Sequence, residues 1–278
     1  MNLLDKFNQF LLLFLETIRQ FGRWRIWGVL FLYLVLHWLI LYGHYQYVKT
    51  PFYGWLSPWI DLVGGDRSVA FSHYPQQFYY LGRFAGWAKL VVSLLVEGAI
   101  LGFVAALFWR SFTGELVEGP RRSGVTRWIN LVLAWAVLNG LMMAAGQLLP
   151  AIAGPWLTGP RRVLAFSYVV MPFFFTLIFA VMYFAIPRVA IMGENVLVAI
   201  GRSMAVFFRR PLTVFFAAFL VLVVPVLLNA VTSRPAGIID GFRPELIYWL
   251  LAASLVIEMI ANFFWMGTAV RFLIEPEE

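Results

Sequence analysis

Two carboxylates stand where carboxylates are costly. Glu97 falls near the middle of one long apolar stretch and Glu258 near the middle of another. On insertion scales a central acidic residue costs roughly 2.5–3.5 kcal/mol, so each side chain must face protein or water rather than lipid. The chemistry open to such a pair is a proton or cation relay in which protonation changes how helices pack. The structural alternative is a hydrogen-bonded carboxyl that joins helices. Asn262 follows Glu258 by four residues, which puts both on one helical face as a polar patch. Asn130, Asn139, Gln147 and Asn229 also interrupt apolar stretches.

The histidines are His37, His44 and His73. His37 and His44 are seven apart and share a face, but two ligands on one helix cannot grip opposite sides of a haem. His73 with His44 makes at best two ligands at a surface, so no metal site is expected. His37 joins Glu97, Glu258 and Asn262 as a candidate intramembrane polar group. The chain has no cysteine, which excludes disulfides, thiolate catalysis and sulfur-ligated metal. It contains no zincin helix, phosphate-binding glycine loop, dinucleotide fingerprint or nucleophile elbow. No catalytic residue and no cofactor are assigned.

The elements that must position these groups are membrane helices. Of 278 residues, 62% are hydrophobic and 13% charged, against roughly 45–50% and about 25% in a soluble domain. No water-soluble fold hides that much apolar surface. A helix crossing the ~30 Å hydrocarbon layer needs about 20 apolar residues, and six stretches qualify: 26–45, 88–109, 128–149, 163–186, 212–231 and 245–267. The expected fold class is all-α, a single polytopic membrane domain. The 12 Trp suit its two interfaces. The net charge of +7 fits orientation and anionic headgroups better than nucleic acid. Membrane lipids, and other membrane proteins, are the expected partners.

Topology follows from Lys and Arg. With the N-terminus cytoplasmic, the inner segments hold Lys6, Arg19, Arg23, Arg25, Arg110, Arg121, Arg122, Arg127, Arg188, Arg202, Arg209, Arg210 and Arg271. The outer side holds Lys49, Arg67, Arg83, Arg161, Arg162, Arg234 and Arg243, with Lys89 near the outer end of the second span. The inner excess predicts both termini inside, although Arg161 and Arg162 weigh the other way. Asp5, Lys6, Asn8, Gln9 and Glu16 break up the first apolar run, so no cleavable leader is expected.

Three segments do not span. In 1–22, Leu3, Leu4, Phe7, Leu11, Phe14, Leu15, Ile18 and Phe21 recur at three- and four-residue steps. This reads as a helix lying in the inner interface, or as one packed on the bundle. Segment 46–87 is crowded with aromatic residues; Ser57-Pro58 suits a helix start and Gly64-Gly65 its stop. Short helices on the outer face are expected, as an aromatic belt or as a functional loop. Segment 187–210 reads as an amphipathic cytoplasmic elbow helix carrying Arg188, Arg202, Arg209 and Arg210, with Pro187 in its first turn and Pro211 opening the next span.

Small residues predict how the spans meet. Gly98, Gly102 and Ala106 form a small-x-x-x-small stripe, and Ala136, Gly140 and Ala144 repeat that spacing on the third span. The two stripes are expected to pack together, with Gly102→Leu disrupting folding more than Leu101→Ala. Pro172 and Pro225 should kink the fourth and fifth spans.

Within the elbow, Pro187-x-Val189 and then Ala199-x-x-Arg202-Ser203, followed by an apolar span, resemble the six-helix membrane domain attached to some bacterial glycerophosphodiester phosphodiesterases and its stand-alone relatives. The resemblance implies a bacterial inner-membrane protein whose elbow joins two three-helix halves. It implies no catalysis, since the phosphodiesterase site of that family lies in a separate soluble domain. The long aromatic segment between the first two spans departs from the family pattern.

Three functions are therefore open. The first is a non-enzymatic membrane protein that scaffolds, assembles with partners or interacts with lipid. The second is a transporter or channel component using Glu97 and Glu258. The third is a membrane enzyme with an outer-face site around His73, Asp61, Asp66 and Arg67. Convergence of Glu97, Glu258 and His37 on a hydrated cavity favours the second; capping of each by a neighbour in a dry seam favours the first.

Overall fold

The computed structural model describes residues 3–115, 124–232, 235–241 and 243–274, with backbone alone for residues 3–7, 9 and 10. Arg121, Arg122, Arg234 and the side chains of Leu3, Leu4, Asp5, Lys6, Phe7 and Gln9 lie outside this description. Among the described residues the regular elements are all helical, and six crossings are long and apolar enough to traverse a membrane. The chain is an all-α polytopic membrane protein.

The elements run in order α1 (Leu3–Arg19), α2 (Trp24–Tyr45), α3 (Phe52–Gly64), α4 (Arg67–Phe71), α5 (Gln76–Thr113), α6 (Gly124–Ala153), α7 (Pro160–Ala165), α8 (Met171–Met182), α9 (Ala185–Met192), α10 (Val196–Arg209), α11 (Pro211–Thr232), α12 (Pro235–Gly241) and α13 (Leu246–Ile274). The crossings are α2, α5, α6, the α7–α9 series, α11 and α13. α5 contacts α2, α6, α9, α12 and α13, so it forms the axis of the bundle.

Several boundaries differ from those the sequence suggests. α5 begins at Gln76 rather than 88 and, at 1.5 Å per residue, runs ~57 Å. That exceeds the ~30 Å lipid layer, so its N-terminal turns extend beyond it and serve as the post for a cap. Tyr47, Ile60, Phe71, Phe78, Leu81 and Phe84 are buried together there, joined by Ile239, Ile247 and Tyr248. The aromatic segment thus contains a packed miniature core, while Tyr53, Trp55 and Tyr74 stay exposed as a belt would need, and it ends near residue 75. Gly64 is required in it, because a Cβ at that position would lie 2.7 Å from the Phe84 ring. Pro58 does not start α3 but sits within it, and Gly65 at φ 53° stops it. Gln77 donates to the Tyr45 carbonyl at 2.7 Å, satisfying an end group of α2.

The elbow is two helices, not one. α9 stops at Gly193, φ 63°, and α10 restarts with Asn195 as N-cap, its side chain accepting from the Val198 amide at 2.9 Å. Asn130 of α6 accepts from the Val196 amide at 2.9 Å, so a second span helps to cap the same helix. Ser203 fastens the elbow: its hydroxyl donates to the Val181 carbonyl at 2.7 Å and accepts from the Phe184 amide at 3.1 Å. Upstream, the kink expected at Pro172 is taken up by a π-helical turn, Phe166–Val170, directly before α8.

α1 packs on the bundle with one face and exposes the other. Leu13 and Thr17 are buried, Phe14 stacks on Phe264 at 4.4 Å, and Glu16 pairs with Arg271. A Cβ on Gly267 would lie 2.3 Å from the Thr17 methyl, so glycine permits this docking. Leu12, Leu15 and Ile18 remain outward, as an interfacial helix needs.

The small-residue stripes do not meet as the spacing suggests. Gly98 and Gly102 are contact points, with hypothetical Cβ atoms 2.7 Å from the Leu131 carbonyl oxygen and 2.9 Å from the Leu131 side chain. Gly140 and Ala144 are exposed and Ala136 is half-buried. The buried face of α6 is Leu131, Ala134 and Leu138. α6 therefore approaches α5 nearer its own N-terminal end, through Ala134, while Gly140 and Ala144 face outward. Ala106 is half-buried on α5.

Candidate functional site

α5 carries a polar stripe at four-residue steps, Lys89, Ser93 and Glu97. The sequence order is also a burial gradient: Gly86 is exposed, the Lys89 side chain is 27% exposed, and Ser93 and Glu97 are buried. Opposite this stripe α13 presents Glu258 and Asn262, and α2 presents Tyr33 and His37. Each pair repeats the same spacing.

These three faces bond to one another. The Tyr33 hydroxyl donates to Glu258 Oε2 at 3.0 Å and also interacts with Glu97. Lys89 donates to the same Glu258 oxygen, and Ser93 donates to Glu97. A continuous polar path, Lys89, Glu258, Tyr33, Glu97, Ser93, thus links three crossings. Lys89 is not at the end of its helix: it lies roughly three and a half turns inside α5.

The path borders a cavity of about 480 Å³. Asn139 of α6, Asn229 of α11 and Asn262 add amide groups to the polar side. The rest of the lining is largely aromatic and apolar, with Trp135, Phe175, Phe179 and Trp265. Phe179 and Trp265 rings lie 4.6 Å apart and Trp135 and Trp265 6.0 Å apart, forming a floor. Below it, Trp265 donates to the Tyr183 carbonyl at 2.9 Å, and Leu101, Val104 and Phe108 are wholly buried. The cavity is closed on the side of the elbow and α1. Its opposite end reaches the exposed Gly86 and Asn229. Pro225 also lines it and leaves the Val221 carbonyl without an i+4 donor.

His37 borders a smaller cavity of about 160 Å³, which shares Lys89, Glu258, Pro225 and Asn229 with the larger one. Its Nδ1 lies 2.9 Å from the Tyr33 carbonyl, which can only accept, so Nδ1 holds the hydrogen and Nε2 presents a lone pair. That Nε2 is buried without a partner, and so is the indole N–H of Trp135 beside the larger cavity. Unpartnered buried polar atoms are uncommon and mark positions where a polar ligand or water fits.

Comparison of the chain with protein-family models, with curated proteins and with solved structures finds no match.

Glu97, Glu258, Asn262 and His37, picked out separately in the sequence, are thus brought to one connected site. Tyr33, Ser93 and Lys89 belong to it and were missed. The signal that finds them is the four-residue spacing within α5 and α2, the same rule that paired Glu258 with Asn262. The elbow arginines form a separate group. Arg188 and Arg202 converge on Glu194, the former at 3.2 Å, Arg209 lines a small cavity with both, and Arg210 lies 5.4 Å over the Phe272 ring. His44 hydrogen-bonds the Ile40 carbonyl at 2.7 Å. Asp61, Asp66, Arg67 and His73 are exposed, and none lines the polar cavity.

With Glu97, Glu258 and Lys89 ionised and His37 and Tyr33 neutral, the site holds two carboxylates against one ammonium. An uncompensated charge in this setting is costly, so a further positive charge, either a proton or a cation, completes it. The aromatic floor suits a cation equally well, since ring faces attract positive charge.

Proposed function

We propose that this chain is a transporter or channel component whose cavity binds a small organic cation, with Glu97 and Glu258 exchanging protons against it. The observation that carries this reading is the convergence of both carboxyls, Lys89 and Tyr33 on one cavity, open at one end and floored by Trp135, Phe179 and Trp265 at the other. The volume of about 480 Å³ lies within the range of small-molecule sites, roughly 300–1,000 Å³. The mixed lining suits a ligand with a charged head and an apolar body.

In this reading, the ligand's positive charge takes up the carboxylate charge not neutralised by Lys89, and its apolar part lies on the aromatic floor. Arrival of a proton at a carboxyl then competes with the cation for the same negative charge, which couples release to protonation. Pro225 lies within the unbroken helix α11 beside the site, removes one of its backbone hydrogen bonds, and offers a hinge. We place the protein in a bacterial inner membrane with both termini cytoplasmic, supported by the excess of Lys and Arg on the elbow side and by the resemblance of the elbow. The closed floor then faces inward and the open end faces out.

A scaffolding or lipid-interacting role is favoured by the outward apolar face of α1 at Leu12, Leu15 and Ile18. It leaves the polar cavity without a use.

Binding tests the proposal. 1-Methylquinolinium, a flat aromatic cation, should quench the fluorescence of the detergent-purified protein saturably, and its uncharged isostere 1-methylnaphthalene should bind more weakly. Glu258→Gln and Glu97→Gln should each weaken the cation by about tenfold and leave the isostere unchanged. Equal affinity for both probes, or no effect of either substitution, would remove the cation from the account.

A further inference from the structure

A separate cavity, of about 410 Å³, lies where the turn between α1 and α2 meets the far end of α5, on the opposite side of the floor from the polar site. Arg23, Arg25 and Arg110 line it together with Ser111, and Ile26 and Leu107 supply an apolar wall. Among the described residues no carboxylate is paired with any of the three arginines. Three guanidinium groups around one space repel one another, and an anion relieves that repulsion.

The three arginines have exposed side chains, but the backbone that carries them is held in place. Gln20, Phe21 and Arg23 amides donate to the carbonyls of Thr17, Ile18 and Gln20 in a tight turn. The Trp27 indole donates to the Phe21 carbonyl at 2.7 Å, and its ring stacks on Phe263 at 4.7 Å. Ser111 donates to the Gln20 side chain, fastening this turn to the end of α5 that carries Arg110. α5 stops there at Gly114, φ 77°, whose amide donates to the Arg110 carbonyl at 3.0 Å. Two segments far apart in sequence therefore hold three cations about one cavity.

The surroundings indicate the ligand. Trp24 is 75% exposed beside Arg25, whose guanidinium lies 5.7 Å over its ring. Phe31 and Phe103, about two turns further into their crossings, are also exposed and face the lipid. The arginines thus sit at the boundary between the lipid-facing apolar surface and the aqueous end of the bundle, where headgroup phosphates lie. Planar guanidinium forks match phosphate oxygens in pairs.

We propose that Arg23, Arg25 and Arg110 form a site for the phosphate of an anionic phospholipid headgroup, with Ile26 and Leu107 against its glycerol and upper acyl carbons. This site is independent of the cation cavity and stands whether or not that cavity transports anything.

The test uses the full-length protein in neutral detergent, with thermal unfolding followed as phosphatidylglycerol or zwitterionic phosphatidylcholine is added. Phosphatidylglycerol should raise Tm well above the phosphatidylcholine level. Arg23→Gln, Arg25→Gln and Arg110→Gln together should abolish that difference, whereas Arg202→Gln in the elbow should keep it. Each single substitution should weaken the lipid's apparent affinity about tenfold. Arg110→Gln alone, at an exposed position, provides the same reading without disturbing the turn. Glycerol 3-phosphate separates the two sources of phosphate. If it reproduces the full shift and the lipid adds nothing, the site takes a soluble phosphate ester and the lipid assignment falls. An unchanged phosphatidylglycerol response in the triple variant would overturn the site itself.

Discussion

Tyr33 on α2 donates its hydroxyl to Glu258 on α13, 225 positions later in the chain, at 3.0 Å. This contact closes the bundle's first crossing on its last. Because Tyr33 is buried, Tyr33→Phe removes a donor to a carboxylate with almost no change of shape. A loss of roughly 1.5–3 kcal/mol is expected, measured as a lower unfolding midpoint in detergent. An unchanged midpoint would show that the hydroxyl is not spent on Glu258.

Lys89 and Glu258 should be strongly non-additive. Removing one partner strands the other in a partly enclosed site. The side chains are 27% and 30% exposed, so the loss should fall below the roughly 3–5 kcal/mol seen for fully buried pairs. Lys89→Met with Glu258→Gln together should cost less than the sum of the single changes. A double-mutant cycle in thermal stability reads this directly, and strict additivity would mean the two groups do not interact.

Gly98 is the tightest point between α5 and α6. Gly98→Ala drives a methyl to 2.7 Å from the Leu131 backbone oxygen, which cannot swing away, whereas Gly140→Ala meets nothing within 4 Å. The first should lower the yield of monodisperse protein sharply and the second should leave it unchanged. The same geometry refines the comparison of Gly102→Leu with Leu101→Ala. Leu101 is wholly buried, so both changes are damaging, one by collision and the other by a cavity.

Ser203 should matter more to the elbow than the arginines around it. Ser203→Ala leaves the Phe184 amide and the Val181 carbonyl without their side-chain partner, at a cost of roughly 1–3 kcal/mol. Arg202→Gln removes an exposed pairing to Glu194 and should cost under about 1 kcal/mol. The order of the two unfolding midpoints checks this.

The number of crossings was legible because lipid demands long apolar runs and leaves a clear signal in composition. The boundaries were less so. Residues 76–87 continue α5 but point partly into an aqueous cap, so their mixed character resembles a loop. The break at Gly193 was hidden by the unbroken amphipathic pattern on either side. Glu97, Glu258 and Asn262 stood out because polar groups in apolar surroundings are conspicuous. Lys89 did not, since an apparent start near residue 88 made it a rim residue. Partners on different helices cannot be read from spacing within one helix, which is why the union of Tyr33 with Glu258 required the fold. The two small-residue stripes had the same spacing, and nothing in the letters says that one faces a neighbour and the other does not.

In the function proposed above, the polar cavity moves a cation against protons. The most direct measurement is uptake of 1-methylquinolinium into proteoliposomes that contain the full-length protein and are acidic inside. Uptake should exceed that of protein-free vesicles, should collapse when the pH gradient is dissipated, and should be lost in Glu97→Gln and Glu258→Gln. Uptake by folded, reconstituted wild-type protein that never rises above the protein-free level, or that is the same in both variants, would contradict the account.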